Sequence, residues 1–135
     1  VSAEDVVFST SDRPGAAETA ALFRSAGLNR PVHDLDRIER MIGGANLIVT
    51  ARLNGKLVGI ARSITDFSYA CYLSDLAVDG LLQKQGIGRN LIAITREQLG
   101  PEVMLLLLSA PGAMSYYPRA GFTKNERAFW IERER

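Results

Sequence analysis

The run Gln83-Lys84-Gln85-Gly86-Ile87-Gly88-Arg89 holds the residue types that bind an anion. Glycines let a backbone come close to a ligand. Lys84 and Arg89 add positive charge at the same spot. The residues that follow predict a helix from Gly86 to Leu99. A helix start presents N–H groups without internal partners and a partial positive charge, and phosphate oxygens fit there. Chemistry alone therefore suggests a phosphate or pyrophosphate site. It is not a P-loop, because Gly-x-x-x-x-Gly-Lys-Ser/Thr is absent. In a dinucleotide fingerprint the third small residue would stand where this chain has Leu91.

Other reactive side chains are sparse. His33 is the only histidine and falls between two predicted helices, where it reads as a surface residue. Cys71 is the only cysteine, so no internal disulfide framework is possible. It has no basic sequence neighbour to lower its pKa and reads as a small buried hydrophobe. No His, Cys and Asp cluster has metal-ligand spacing, and no metal is expected.

The elements that must position the loop can be read from periodicity and turn chemistry. Val6-Val7-Phe8 is a short strand. Ser11-Asp12-Arg13-Pro14 offers cap residues and a first-turn proline for a helix from about Gly15 to Ala26. Asp34 can cap a second helix, whose Leu35, Ile38, Met41 and Ile42 recur at helical spacing and which Gly43-Gly44 ends. Asn46 to Leu53 and Leu57 to Thr65 flank Asn54-Gly55, a dipeptide suited to a two-residue hairpin. Tyr69 to Val78 completes an antiparallel meander. Gly100-Pro101 stops the helix after the loop. Val103 to Leu108 is an uninterrupted apolar run, expected to be a strand buried on both faces. A short helix around Ala113 to Ala120, a turn at Gly121 and a last strand near Ala128 to Glu132 follow. The expected order is βααβββαβαβ in one α/β (α+β) domain spanning residues 1–135.

Bulk properties agree with a globular domain. Apolar residues make up 47% and charged residues 23% of the 135 residues, enough for a real core. The net charge of +1 lacks the basic footprint of a nucleic-acid binder. No stretch is long enough to span a bilayer and no secretory leader is visible, so a cytoplasmic protein without membrane or nucleic-acid partners is expected.

Gln83-Lys84-Gln85-Gly86-Ile87-Gly88 matches the Gln/Arg-x-x-Gly-x-Gly/Ala signature of the GNAT superfamily of N-acetyltransferases, and the chain resembles that family. Asp75-Leu76-Ala77-Val78 stands where the family has its Asp-Leu-x-Val strand end. Tyr116-Tyr117-Pro118-Arg119-Ala120-Gly121-Phe122 stands where it has paired aromatics before Gly-Phe. Order and spacing agree from about Asn46 to Phe122. The chain departs from the family at Leu82, often aromatic there, and at Ser109-Ala110-Pro111, where an asparagine often follows the buried strand.

The resemblance implies a mixed, mostly antiparallel sheet with splayed central strands flanked by helices. It implies acetyl-CoA as co-substrate and direct attack by an amine, which is a small molecule or part of a protein. The pantetheine arm would lie between the strands containing Tyr69–Val78 and Val103–Leu108, against backbone groups of Leu76, Ala77 and Val78. The Leu76 N–H would polarise the thioester carbonyl. Amides from Gln83, Lys84, Gln85, Gly86, Ile87, Gly88 and Arg89 would hold the pyrophosphate, with Ser109 a further cofactor contact. Tyr117 matches the family's frequent general acid, whereas Tyr116 reads as core. No general base stands out. Asp75 could act through water, or could be a turn-facing or solvated carboxylate. His33 falls in a region that often helps form the acceptor site. A homodimer is compatible with the resemblance. Two other readings stay open: a CoA-binding regulatory or sensor domain that has lost chemistry, and a nucleotide-binding module without acyl transfer.

Overall fold

A computed structural model of the protein describes residues 5–135. Five strands form one sheet in the order β1-β2-β3-β4-β5. They are β1 (Val7–Ser9), β2 (Leu47–Leu53), β3 (Lys56–Thr65), β4 (Ala70–Val78) and β5 (Met104–Leu106). The first four pair antiparallel and β5 joins β4 in parallel. The meander turns at Asn54 and Gly55, with φ of 50° and 82°. Those left-handed values are why this dipeptide makes the hairpin.

Helices cover both faces. On one side α1 (Ala16–Ala26) and α2 (Leu35–Gly44) bring Leu22, Phe23, Ile38 and Ile42 against Ile48, Ile60 and Ala77. On the other, α3 (Ile87–Leu99) brings Ile87 and Leu91 against Val49, Ala61 and Leu73. Asp34 caps α2 by accepting from the Arg37 N–H at 3.1 Å. Arg52 ties β2 to the first turn of α1. Its Nε donates to Asp12 Oδ2 at 2.7 Å and its Nη2 to Glu18 Oε2 at 2.8 Å.

β4 carries one extra residue. Arg62 lies opposite Asp75, but Ser63 lies opposite Leu73, so Ser74 has no counterpart on β3. Such a bulge re-aims the side chains on either side of it. Leu73 packs on the α3 side, whereas Ala77 packs on the α1–α2 side. Regular alternation would put both on one face.

Several expectations are corrected. The cap of α1 is Gly15, whose N–H donates to Glu18 Oε2 at 2.9 Å. Pro14 therefore precedes the helix, and Asp12 serves Arg52 instead. The apolar run Val103–Leu108 yields only the three-residue β5, and it is not buried on both faces. Leu105 and Leu107 pack inward against the α3-side core, while Met104, Leu106 and Leu108 alternate to the opposite side and are exposed. The helix around Ala113 to Ala120 resolves into a 3-10 turn at Pro111–Ala113 and α4 (Tyr116–Arg119). The strand near Ala128 to Glu132 does not form. That segment has no strand beside it, and Phe129, Trp130 and Ile131 are exposed. The tail instead reaches α2, where Arg37 Nη2 donates to the Arg135 main-chain oxygen at 3.1 Å.

Candidate active site

The phosphate-type loop sits where the sequence places it, between β4 and α3. Gly86 caps α3 at φ 89°, a conformation that excludes ordinary side chains. The first intrahelical bond runs from the Asn90 N–H to the Gly86 carbonyl at 3.0 Å. The amides of Ile87, Gly88 and Arg89 thus precede the helical ladder and have no partner in it. No acidic residue occupies the first turn of α3, so nothing there competes with an anion. Gln83, Lys84, Gln85, Gly86 and Arg89 are exposed, while Ile87 is buried and anchors the loop to the core. Gln83 turns back, its Nε2 donating to the Val78 carbonyl at 3.1 Å.

That carbonyl belongs to an open edge. The Asp79 N–H bonds to Val58 on β3 at 2.8 Å. Backbone groups alternate sides along a strand, so those of Leu76 and Val78 point away from β3. β5 pairs only with Ala70, Cys71 and Tyr72. From Leu73 onward the far side of β4 has no strand beside it. β4 and β5 therefore part as expected, leaving the Leu76 main chain and the Val78 N–H facing the gap, with the Val78 carbonyl held by Gln83. Ala77 faces the α1–α2 core, and its main chain points to β3.

Of the two tyrosines of α4, Tyr116 lies beside the loop. A Cβ built on Gly88 would lie 3.0 Å from the Tyr116 hydroxyl and 3.8 Å from Val78 Cγ2. Tyr116 therefore belongs to the anion loop and not to the core. Burial pushes its phenol upward while Arg89 pulls against the rise. Tyr117 packs edge-on against Tyr116 and Phe122, with ring centroids 5.2 and 5.5 Å apart. Burial raises its phenol above the ordinary 10.0, Tyr116 adds to the rise, and the Arg30 charge opposes it. Its proton is held at neutral pH. The Ser109 hydroxyl donates to the Ala110 carbonyl at 2.8 Å.

Asp75 is neither turn-facing nor solvated. It is fully buried. Arg30 Nε donates to Oδ1 at 2.6 Å and Arg62 Nε donates to Oδ2. Arg30 Nη2 also reaches the Ser74 carbonyl at 2.8 Å, and Arg62 Nη1 the Met41 carbonyl at 3.1 Å. The carboxylate thus joins the α1–α2 loop, α2, β3 and the bulge. Sequence reasoning missed both arginines. The signal was Arg62 itself, a charge inside the apolar strand Gly59-Ile60-Ala61-Arg62, which must be paired if buried. His33 is exposed in the turn before α2. Cys71 is buried, and burial raises its thiol, which agrees with an inert packing role.

The fold and site together present an open strand edge running into a helix-capping amide loop. The sequence profile described as Acetyltransferase (GNAT) domain matches residues 18–130, and the chain belongs to that family. It is 25% identical to the uncharacterized N-acetyltransferase ycf52 of Pyropia yezoensis, over 96% of this chain and 79% of that protein. Its fold is similar to a probable acetyltransferase from meticillin-resistant Staphylococcus aureus. That match has a TM-score of 0.81 and 22% identity, over 95% of this chain and 99% of the other. An aminoglycoside N-acetyltransferase, AAC(6')-Iy, solved in complex with CoA, matches with a TM-score of 0.71 and 14% identity, over 96% and 95% of the two chains.

Proposed function

We propose that the protein transfers the acetyl group of acetyl-CoA to an amine by direct attack. The observation that carries this reading is the continuous path from the unpaired edge of β4 at Leu76–Val78 to the free amides of Ile87–Arg89. An extended pantetheine arm can add to that edge as a strand would. The pyrophosphate then reaches the start of α3. Family membership and the fold shared with a CoA complex support the choice of ligand.

In this reading each group has one task. The Leu76 N–H donates to the thioester oxygen as negative charge builds there. The amine nitrogen bonds to the carbonyl carbon, the C–S bond breaks, and the thiolate leaves. Tyr117 supplies its proton to that sulfur. Asp75 does not serve as base, because both its oxygens are engaged by guanidinium groups. It positions the α1–α2 loop against the bulge. The ammonium loses one proton to water before attack, and the proton that the nitrogen sheds as the amide forms returns, through water, to the Tyr117 phenolate.

The engaged Asp75 also favours a second reading, a CoA-binding domain without turnover. Titration calorimetry with acetyl-CoA and thiol release with an amine panel separate the two. Micromolar-range binding with amine-dependent thiol release is expected. Binding without release would favour the second reading, and binding of ATP or NAD in place of acetyl-CoA would overturn both. Among the described residues no helix is long and apolar enough to cross a membrane.

A further inference from the structure

α2 sorts its side chains into stripes. Ile38 and Ile42 enter the core. Asp36, Glu39 and Gly43 share one flank, and Arg37, Arg40, Met41 and Gly44 share the other by helical spacing. The second flank is only partly covered, with Arg37 and Met41 half-buried and Arg40 and Gly44 exposed. With Arg62 and Ile64 of β3 it lines a groove with a cavity volume of about 400 Å³. A Cβ on Gly44 would meet nothing within 4 Å, so that end of the groove is open.

The charge in this groove is unbalanced. Arg62 is neutralised by Asp75. Neither Arg37 nor Arg40 has an acidic partner among the described residues. Arg37 already holds an oxygen, the main-chain oxygen of Arg135 at 3.1 Å. An anion bound by Arg37 would displace that oxygen. The groove also adjoins the reacting centre. Arg62 lines it and bonds to Asp75, the residue before the Leu76 amide.

We infer that the α2–β3 groove is an acceptor subsite for an anionic group, so that the acceptor is a small amine bearing a carboxylate or a phosphate. This inference rests on the acetyl-transfer reading and adds the substrate class. Met41 and Ile64 give the groove an apolar lining, and Arg37 and Arg40 bind the anion. With no carboxylate side chain paired to Arg37 or Arg40, the groove disfavours a polycation, so aminoglycosides are poor substrates here even though a structural relative is named for them.

The test compares β-alanine with β-alaninamide and O-phosphoethanolamine with ethanolamine, following thiol release at saturating acetyl-CoA and low ionic strength. At least one anionic member is expected to exceed its neutral counterpart about tenfold in kcat/KM, the gap closing as salt rises. Whichever pair shows it identifies carboxylate or phosphate as the group bound. In the double variant Arg37→Gln, Arg40→Gln the preference is expected to collapse through KM, with acetyl-CoA affinity unchanged. Equal turnover within both pairs, or a preference surviving in the double variant, overturns the subsite. Inorganic phosphate, titrated by NMR on wild type and double variant, reads the groove without the reaction. Weaker binding by the variant supports the subsite and equal binding overturns it, even if acetyl-CoA fails to bind and the acetyl-transfer reading falls.

Discussion

Tyr117 and Asp75 both feel the Arg30 charge and differ in what else surrounds them. The phenol is raised by burial and keeps its proton. As a general acid it is active in the protonated form, so a raised pKa extends activity toward higher pH. The expected kcat profile shows no fall assignable to Tyr117 below pH 10.0, the ordinary value. Tyr117→Phe should lower kcat by about a hundredfold with acetyl-CoA affinity nearly unchanged in calorimetry. A variant with full kcat would remove Tyr117 from the mechanism. Asp75→Asn should instead act on stability. It leaves Arg30 and the buried Arg62 without their countercharge, at a cost of about 3–5 kcal/mol, measurable by urea denaturation. Tyr117 was visible in the sequence because a motif surrounds it. The Arg30–Asp75–Arg62 group was not, because its members lie on three separate segments that only the sheet and the α1–α2 loop bring together.

Among the elements, the loop and α2 carry the sharpest consequences. Gly86→Val forces a branched side chain into φ 89°. No neighbour stands in the way of a Cβ, so backbone strain, not contact with the protein, is the cause of damage. Acetyl-CoA affinity should drop about tenfold, since about 1.4 kcal/mol of lost amide geometry suffices for that; unchanged affinity would sink the loop assignment. Asp34→Ala removes the α2 cap and should cost about 1 kcal/mol in thermal or chemical unfolding. The meander, the Asn54-Gly55 turn and α3 were legible because turn chemistry and apolar period are local. β5 was misread because an apolar run records hydrophobicity but not whether a neighbour covers it. The segment Ala128-Phe129-Trp130-Ile131 has strand composition, yet a strand needs an edge to pair with, and its own chain leads it toward Arg37.

For the whole molecule, acid stability rests partly on the clamp between α1 and β2. Hydrogen bonds from Arg52 hold the Asp12 and Glu18 carboxyls below their ordinary values of 3.8 and 4.5. Their unfolded forms bind protons first as pH falls, so the clamp stabilises the fold above those ordinary values and the benefit disappears below them. The thermal midpoint should be flat from neutral pH to about 5 and then decline, and Arg52→Gln should blunt that decline. Trp130 is the only tryptophan and is 65% exposed. Its fluorescence should be that of a solvated indole and open to acrylamide quenching; a shielded signal would show that the tail is covered in solution.

The extra residue at Ser74 has a consequence for how such a protein diversifies. By turning β4 over midway, it lets one strand serve two clients. In the proposed reading its main chain from Leu76 onward, with the loop ending at Arg89, would address the donor. Asp75 addresses the α1–α2 layer through Arg30 and Arg62. The two sets of determinants occupy separate segments of the gene and meet at a single carboxylate. Transplanting the stretch from Asn29 to Gly44 from a relative, with Arg62 matched to it, is therefore the shortest route to a new acceptor preference that leaves donor chemistry untouched.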